Sequence, residues 1–173
     1  MVNNMKEKIY NSDNLLDKDI DEVVIRTKGL IINSNNEITL GYSYKTYQFP
    51  GGHLEENESL EECLIREIKE ETGIELIDYN MTPFFKTVYY TKNYHNSGKN
   101  RKNEIYFYVI KTDEVFNMNN SNLDDWEKEG NYELRVIPLN DVENILVNSI
   151  KDNPINEVIV KEMLEALKEY KSL

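Results

Sequence analysis

The stretch from Phe49 to Ile74, FPGGHLEENESLEECLIREIKEETGI, constrains this chain more than any other. Gly51-Gly52 after Pro50 marks a tight turn, because paired glycines reach backbone angles that other residues resist. Ser59 followed three residues on by Glu62 is a capping-box signature and predicts a helix that starts there. Gly73 stands where a left-handed cap would end it. At roughly 100° per residue, Leu60, Leu64 and Ile68 form one apolar stripe. On the same wheel Glu71 falls between Leu60 and Leu64, Glu67 lies beside Leu60, and Glu70 flanks them. Glu62, Arg66 and Lys69 take the solvent side.

A glutamate-rich helix is most simply a solvated one, and that reading accounts for Glu61, Glu62 and Lys69. It does not account for Glu67 and Glu71 on the core side. A carboxylate there is costly unless it is paired or bound to a cation. Three carboxylates beside a backbone turn suit a hard divalent ion such as Mg²⁺, which prefers oxygen ligands. Glu67 and Glu71, one turn apart, can share such an ion from one helix face.

The stretch resembles the Nudix box, G-x5-E-x7-R-E-U-x-E-E-x-G-U with U a bulky aliphatic residue. It matches at every fixed position: Gly52, Glu58, Arg66, Glu67, Ile68, Glu70, Glu71, Gly73 and Ile74. The resemblance implies an α/β/α sandwich around a mixed β-sheet in a single domain. It implies hydrolysis of a nucleoside diphosphate linked to another group, with Mg²⁺ or Mn²⁺ as cofactor. It assigns Glu67, Glu70, Glu71 and the Gly52 carbonyl to the metal, and gives Arg66 the task of orienting the box carboxylates. A planar guanidinium fork suits that task. The general base is then a box glutamate, Glu67 or Glu70, or an acid on a later loop. Glu127, Glu129 and Glu133 are candidates, and Glu129 beside Gly130 is preferred.

A chain of 173 residues is long enough for one domain with a sizeable core. Its formal net charge of −12 argues against non-specific binding to nucleic acid or to an anionic membrane. It does not argue against a small anionic substrate, since a local metal cluster can outweigh a distant surface charge. Cys63 is the only cysteine, so no intramolecular disulfide can form, and it reads as a core filler. No apolar run suits a membrane span and the start MVNNMKEKIY lacks the apolar core of a signal peptide, so cytoplasm is the default. The expected partner is a small nucleotide-type diphosphate, with neither membrane nor nucleic acid; a homodimer stays open.

Residues 1–22 read as a polar lead-in with a short pairing segment around Ile9 and Tyr10, and residues 23–173 as the domain. Strands are predicted at Val23–Ile32, Glu37–Tyr42, Tyr47–Phe49, Glu75–Asn80, Phe84–Tyr90, Glu104–Lys111 and Glu133–Pro138. Thr91–Asn103 reads as a polar loop, and Thr112–Asn131 as an irregular connection. A helix is expected from Leu139 with Asn140 as its cap, and a last helix over Asn156–Tyr170.

Arg26, Lys86 and Arg101 are the candidate contacts for substrate phosphates, although each is equally well an ordinary surface cation. Tyr47, Tyr90, Tyr94 and Tyr106 could stack on a base, but half-buried strand tyrosines are common. Three functions compete: a divalent-metal-dependent pyrophosphohydrolase, a silent nucleotide-sensing domain of the same fold, and a nucleic-acid module. The intact box favours the first and the acidic charge opposes the third. The resemblance does not extend to the sequence marks of its NADH, coenzyme A and ADP-ribose subfamilies, and so implies nucleoside triphosphates by elimination.

Overall fold

β2, Glu22–Ile32, is the strand around which the sheet assembles in the computed structural model, which describes residues 5–76 and 81–173. It runs parallel to β6, Arg101–Lys111, through eleven consecutive residue pairs. β5, Phe85–Thr91, pairs antiparallel with β6, and β1, Lys6–Tyr10, lies parallel to β5 at the edge. On the other side of β2 the pairing is brief. β3, Glu37–Ser43, meets it only at Ile31–Thr39 and Ile32–Ile38. β4, Thr46–Gln48, continues that side of β3, and β7, Glu133–Pro138, pairs along its opposite side.

Where β2 and β3 part, the glycine turn fills the gap. Gly29 N–H donates to the Pro50 carbonyl at 2.8 Å, Thr27 N–H to that of Gly52 at 3.0 Å, and Leu54 N–H to that of Ile25 at 3.0 Å. Gly51 allows this approach: its φ is 130°, and a Cβ there would lie 2.2 Å from the Thr27 carbonyl oxygen.

Strand alternation gives the sheet two apolar faces. α1, Leu60–Thr72, sets Leu64 and Ile68 against Ile31, Tyr108 and Ile110. α3, Val142–Ser149, and α4, Asn156–Tyr170, cover the other face with Val142, Leu146, Val160, Met163 and Leu167 over Leu30, Phe85 and Phe107. The result is the expected mixed sheet between helices. Among the described residues no helix is long and apolar enough to cross a membrane.

Several boundaries differ from those read in the sequence. The lead-in supplies β1, so its pairing segment is real and extends over Lys6–Tyr10. Glu75 and Leu76 are not in a strand, and the remainder of the strand expected over Glu75–Asn80 lies outside the described residues. The loop expected over Thr91–Asn103 is shorter, because Arg101 pairs with Thr91 on one side and Glu22 on the other. A short helix, α2, Asp125–Glu129, interrupts the irregular connection; Asp124 and Glu127 form its capping box. α3 starts at Val142 rather than Leu139, since Asp141 N–H first closes a turn onto the Pro138 carbonyl at 2.9 Å.

Asn156 joins the α3–α4 corner to the β3–β4 hairpin. It is wholly buried, and it donates to the carbonyls of Lys45 at 2.9 Å and Ser149 at 2.7 Å. Its own oxygen accepts from Thr46 Oγ1 at 2.7 Å.

Candidate active site

α1 is held at both ends as its sequence suggests. Ser59 accepts the Glu62 amide at 3.2 Å, the Glu62 carboxylate accepts the Ser59 amide at 2.8 Å, and Gly73 closes the helix with a φ of 72°. That fixes which glutamates turn inward. Glu71 is only 7% exposed, while Glu61 and Glu62 face water.

A cavity of about 400 Å³ opens between the glycine turn, α1, α2 and the α4 side of the sheet. Glu67, Glu71, Glu127 and Glu162 line it together with Arg26 and Lys28. Phe49, Ile105, Phe107, Ile159 and Met163 supply apolar walls.

Arg66 organises the carboxylates around it. Its Nε and Nη2 form a fork on Glu58 at 2.8 and 2.9 Å. Nη1 donates to Glu67 at 2.8 Å and to Glu70 at 3.2 Å, and Nη2 also reaches the His53 carbonyl at 2.9 Å. Such charge-assisted, bidentate contacts are the strong ones. The Glu58 fork pushes the Arg66 pKa up and, in return, Arg66 holds the Glu58 carboxyl below its ordinary value.

Burial acts the other way on the inner acids. Desolvation raises Glu67 despite Arg66, and pushes Glu71 up to about 7. Glu71 accepts from Gly51 N–H at 3.2 Å and from the Tyr132 hydroxyl at 2.7 Å. Burial raises Glu127 and Glu162 as well. Of the lining cations, Arg26 Nε donates to His53 Nε2 at 2.9 Å, and Lys28 Nζ donates to the Gly51 carbonyl. Burial and the Arg26 charge push His53 below its ordinary value, which suits an imidazole that accepts from arginine. Cys63 accepts from Thr27 Oγ1 at 3.2 Å, and burial pushes its thiol up to about 11. It is an unreactive core residue.

The structure brings together Gly52, Glu67, Glu71 and Arg26 at the cavity, with Arg66 and Glu70 beside it. Three expected residues stand elsewhere. Lys86 projects from the α1 face of the sheet and is bound by Glu104 at 2.9 Å and Glu7 at 3.2 Å, so it does not reach the cavity. Arg101 shares the sheet face of Arg26 but is taken up by Glu22 at 2.8 Å and by the ring of Tyr94 at 3.7 Å. Glu129 is exposed in a shallow depression with Tyr42, Tyr44 and Lys45, on the far side of α2 from Glu127. Glu127, two positions earlier, is the acid that faces inward.

Lys28, Tyr132 and Glu162 were not singled out by sequence reasoning. For Lys28 the signal existed, because residues two apart on a strand share a face and Arg26 was already a candidate. Tyr132 and Glu162 are brought in only by tertiary packing.

Among the described residues no three acidic, histidine or cysteine side chains stand together as a ready metal-binding group. The donor set nonetheless fits a hard divalent ion. All its members are oxygens, and burial pushes two of the acids, the buried Glu71 and the half-buried Glu67, above their ordinary values. The Glu67 carboxylate also rests directly on Gly52, where a Cβ would lie 2.3 Å from Oε1. Only glycine lets that carboxylate and the turn come so close.

The NUDIX domain family matches residues 23–161. Among solved structures, Ap4A hydrolase from C. elegans is 18% identical, with 87% of this chain and 97% of that one covered at a TM-score of 0.51. The mutator protein MutT from Bacillus halodurans is 20% identical over 70% of this chain and 72% of that one, at a TM-score of 0.50. At such identities the two structures speak for the fold. The family match covers most of the length and includes the whole glycine-to-helix stretch, so the chain belongs to the Nudix hydrolase family.

Proposed function

We propose that this chain is a divalent-metal-dependent pyrophosphohydrolase, cleaving a phosphoanhydride in a nucleoside diphosphate derivative or nucleoside triphosphate. One observation carries the reading: acids and cations line a single cavity, the buried Glu71 and half-buried Glu67 together with the half-buried Arg26 and Lys28. Acids alone would repel a polyphosphate, and cations alone would only bind it.

Glu67, Glu70, Glu71 and the Gly52 carbonyl would hold Mg²⁺ or Mn²⁺. When bound, the ion supplies charge neutralisation at the phosphate oxygens and a more acidic water. Arg26 and Lys28 take the charge of the remaining phosphate oxygens, and the His53 contact aims the Arg26 fork. Arg66 keeps Glu67 and Glu70 in register with each other through a single nitrogen. Glu127 is the base: its carboxyl faces the cavity, and burial raises its proton affinity. The water oxygen bonds to phosphorus, its proton passes to Glu127, and the bridging oxygen leaves with the other phosphate.

The test is a panel of dinucleotide, sugar-nucleotide and nucleoside triphosphate substrates with Mg²⁺ and with Mn²⁺, read as phosphate after phosphatase coupling. Turnover that disappears in Glu71→Gln and Glu70→Gln is the expected result. Silence of the wild-type protein across the panel would overturn the reading in favour of a nucleotide-sensing domain.

A further inference from the structure

Trp126 is the only tryptophan of the chain, and its side chain is 65% exposed. It lies on α2 between Asp124 and Glu127, and all three line the cavity. Tyr44 backs the indole, with ring centroids 4.5 Å apart and planes at 36°. The backing is built against local preference. Tyr44 and Lys45 form the β3–β4 turn with φ of 48° and 61°, angles that such turns usually give to asparagine and glycine. Asn156 fixes Lys45 and Thr46 from below, and Tyr44 N–H donates to the Gly130 carbonyl at 3.3 Å. Backbone held in a sparsely populated region by its surroundings tends to mark a functional site.

A large aromatic face kept open to water beside a charged cavity is poorly explained by packing, since the core does not use it. A planar ring lying on it would match it. Base–aromatic stacking tolerates any base, because each has a π-face. The neighbouring chemistry supplies the rest of a nucleotide site, with Arg26 and Lys28 lining the same cavity.

We propose that Trp126, braced by Tyr44, is the platform on which the base of a nucleotide substrate stacks while its phosphates lie against Arg26 and Lys28. The identity of the ligand rests on the hydrolase reading above; the platform itself can be tested without turnover.

With a single tryptophan, emission excited at the red edge of its absorption reports this indole alone. AMP and UMP, titrated into the full-length protein with Mg²⁺, should quench it saturably, and inorganic pyrophosphate, which has no base, should not. Kinetically, Trp126→Leu should raise KM for the best nucleotide of the panel about ten-fold relative to tripolyphosphate, with kcat little altered, and Trp126→Phe should recover most of the loss. No saturable quenching, or equal quenching by pyrophosphate, overturns the platform. So does an equal rise in KM for nucleotide and tripolyphosphate, which would mean that Trp126 only shapes α2. A protein that turns over nothing yet is quenched by AMP keeps the platform and loses the hydrolase reading.

Discussion

The Tyr132 hydroxyl donates to Oε2 of Glu71 at 2.7 Å, deep behind the glycine turn. Together with the Gly51 amide it is, among the described residues, the hydrogen-bonded compensation for that carboxylate, which burial still pushes up to about 7 from an ordinary 4.5. An acid whose pKa is higher in the folded state costs stability when ionised. The cost is absent below about pH 4.5, grows between there and 7, and is complete above.

Glu71→Gln should therefore stabilise the metal-free protein at pH 8.5, by on the order of 2–3 kcal/mol, with the gain fading toward pH 4.5. The Tyr132 hydroxyl can turn to accept from the new amide. Urea melts at both pH values in EDTA check this. A variant less stable than wild type at pH 8.5 would contradict the buried-charge account, whatever happens to activity.

Arg66→Lys should lower kcat ten-fold or more while leaving the far-UV spectrum unchanged. Lysine keeps the charge but cannot grip Glu58 with a fork and also span Glu67 and Glu70. Steady-state kinetics beside circular dichroism separate the two effects. Retained activity would show that the carboxylates need no such clamp.

Lys28→Ala should raise KM for a triphosphate substrate about ten-fold, consistent with loss of one charge-assisted contact worth roughly 1.5 kcal/mol or more. Lys86→Ala should leave KM unaltered, because Lys86 is on the opposite face of the sheet and bound by Glu104 and Glu7. Reversed outcomes would move the phosphate site to the α1 face.

Asn156→Ala should destabilise the protein by about 2–4 kcal/mol, since the buried Ser149 carbonyl, the buried Thr46 hydroxyl and the part-buried Lys45 carbonyl each lose a hydrogen bond together. Thermal melts read this directly. A loss under half a kilocalorie would mean that water replaces the side chain.

Helix α1 was legible because its signals are local. Ser59 and Glu62 cap it, Gly73 ends it, and the wheel alone turns Glu67 and Glu71 inward. The same periodic logic puts Lys28 beside Arg26, a signal that basic residues elsewhere obscured. What the sequence could not show was pairing. Which face Lys86 takes depends on the β5–β6–β2 register, and the parallel partner of β1 lies far along the chain. The choice between Glu127 and Glu129 turned on a single helical turn. Asp124 and Glu127 carry a capping pattern that announces that turn, and it points Glu127 toward the cavity and Glu129 away.

β1 also bears on how this protein can be trimmed. It is the outermost strand, its backbone closes the edge of β5, and Tyr10 lies flat on Tyr89 with centroids 4.6 Å apart. A fragment beginning at residue 23 would keep every cavity-lining side chain, the first being Arg26. It would also bare the ladder of FKTVYYT, a run rich in aromatic and β-branched residues. An open edge of that composition invites another chain to complete it. Shortening the protein to its catalytic minimum would then produce aggregates with intact active sites.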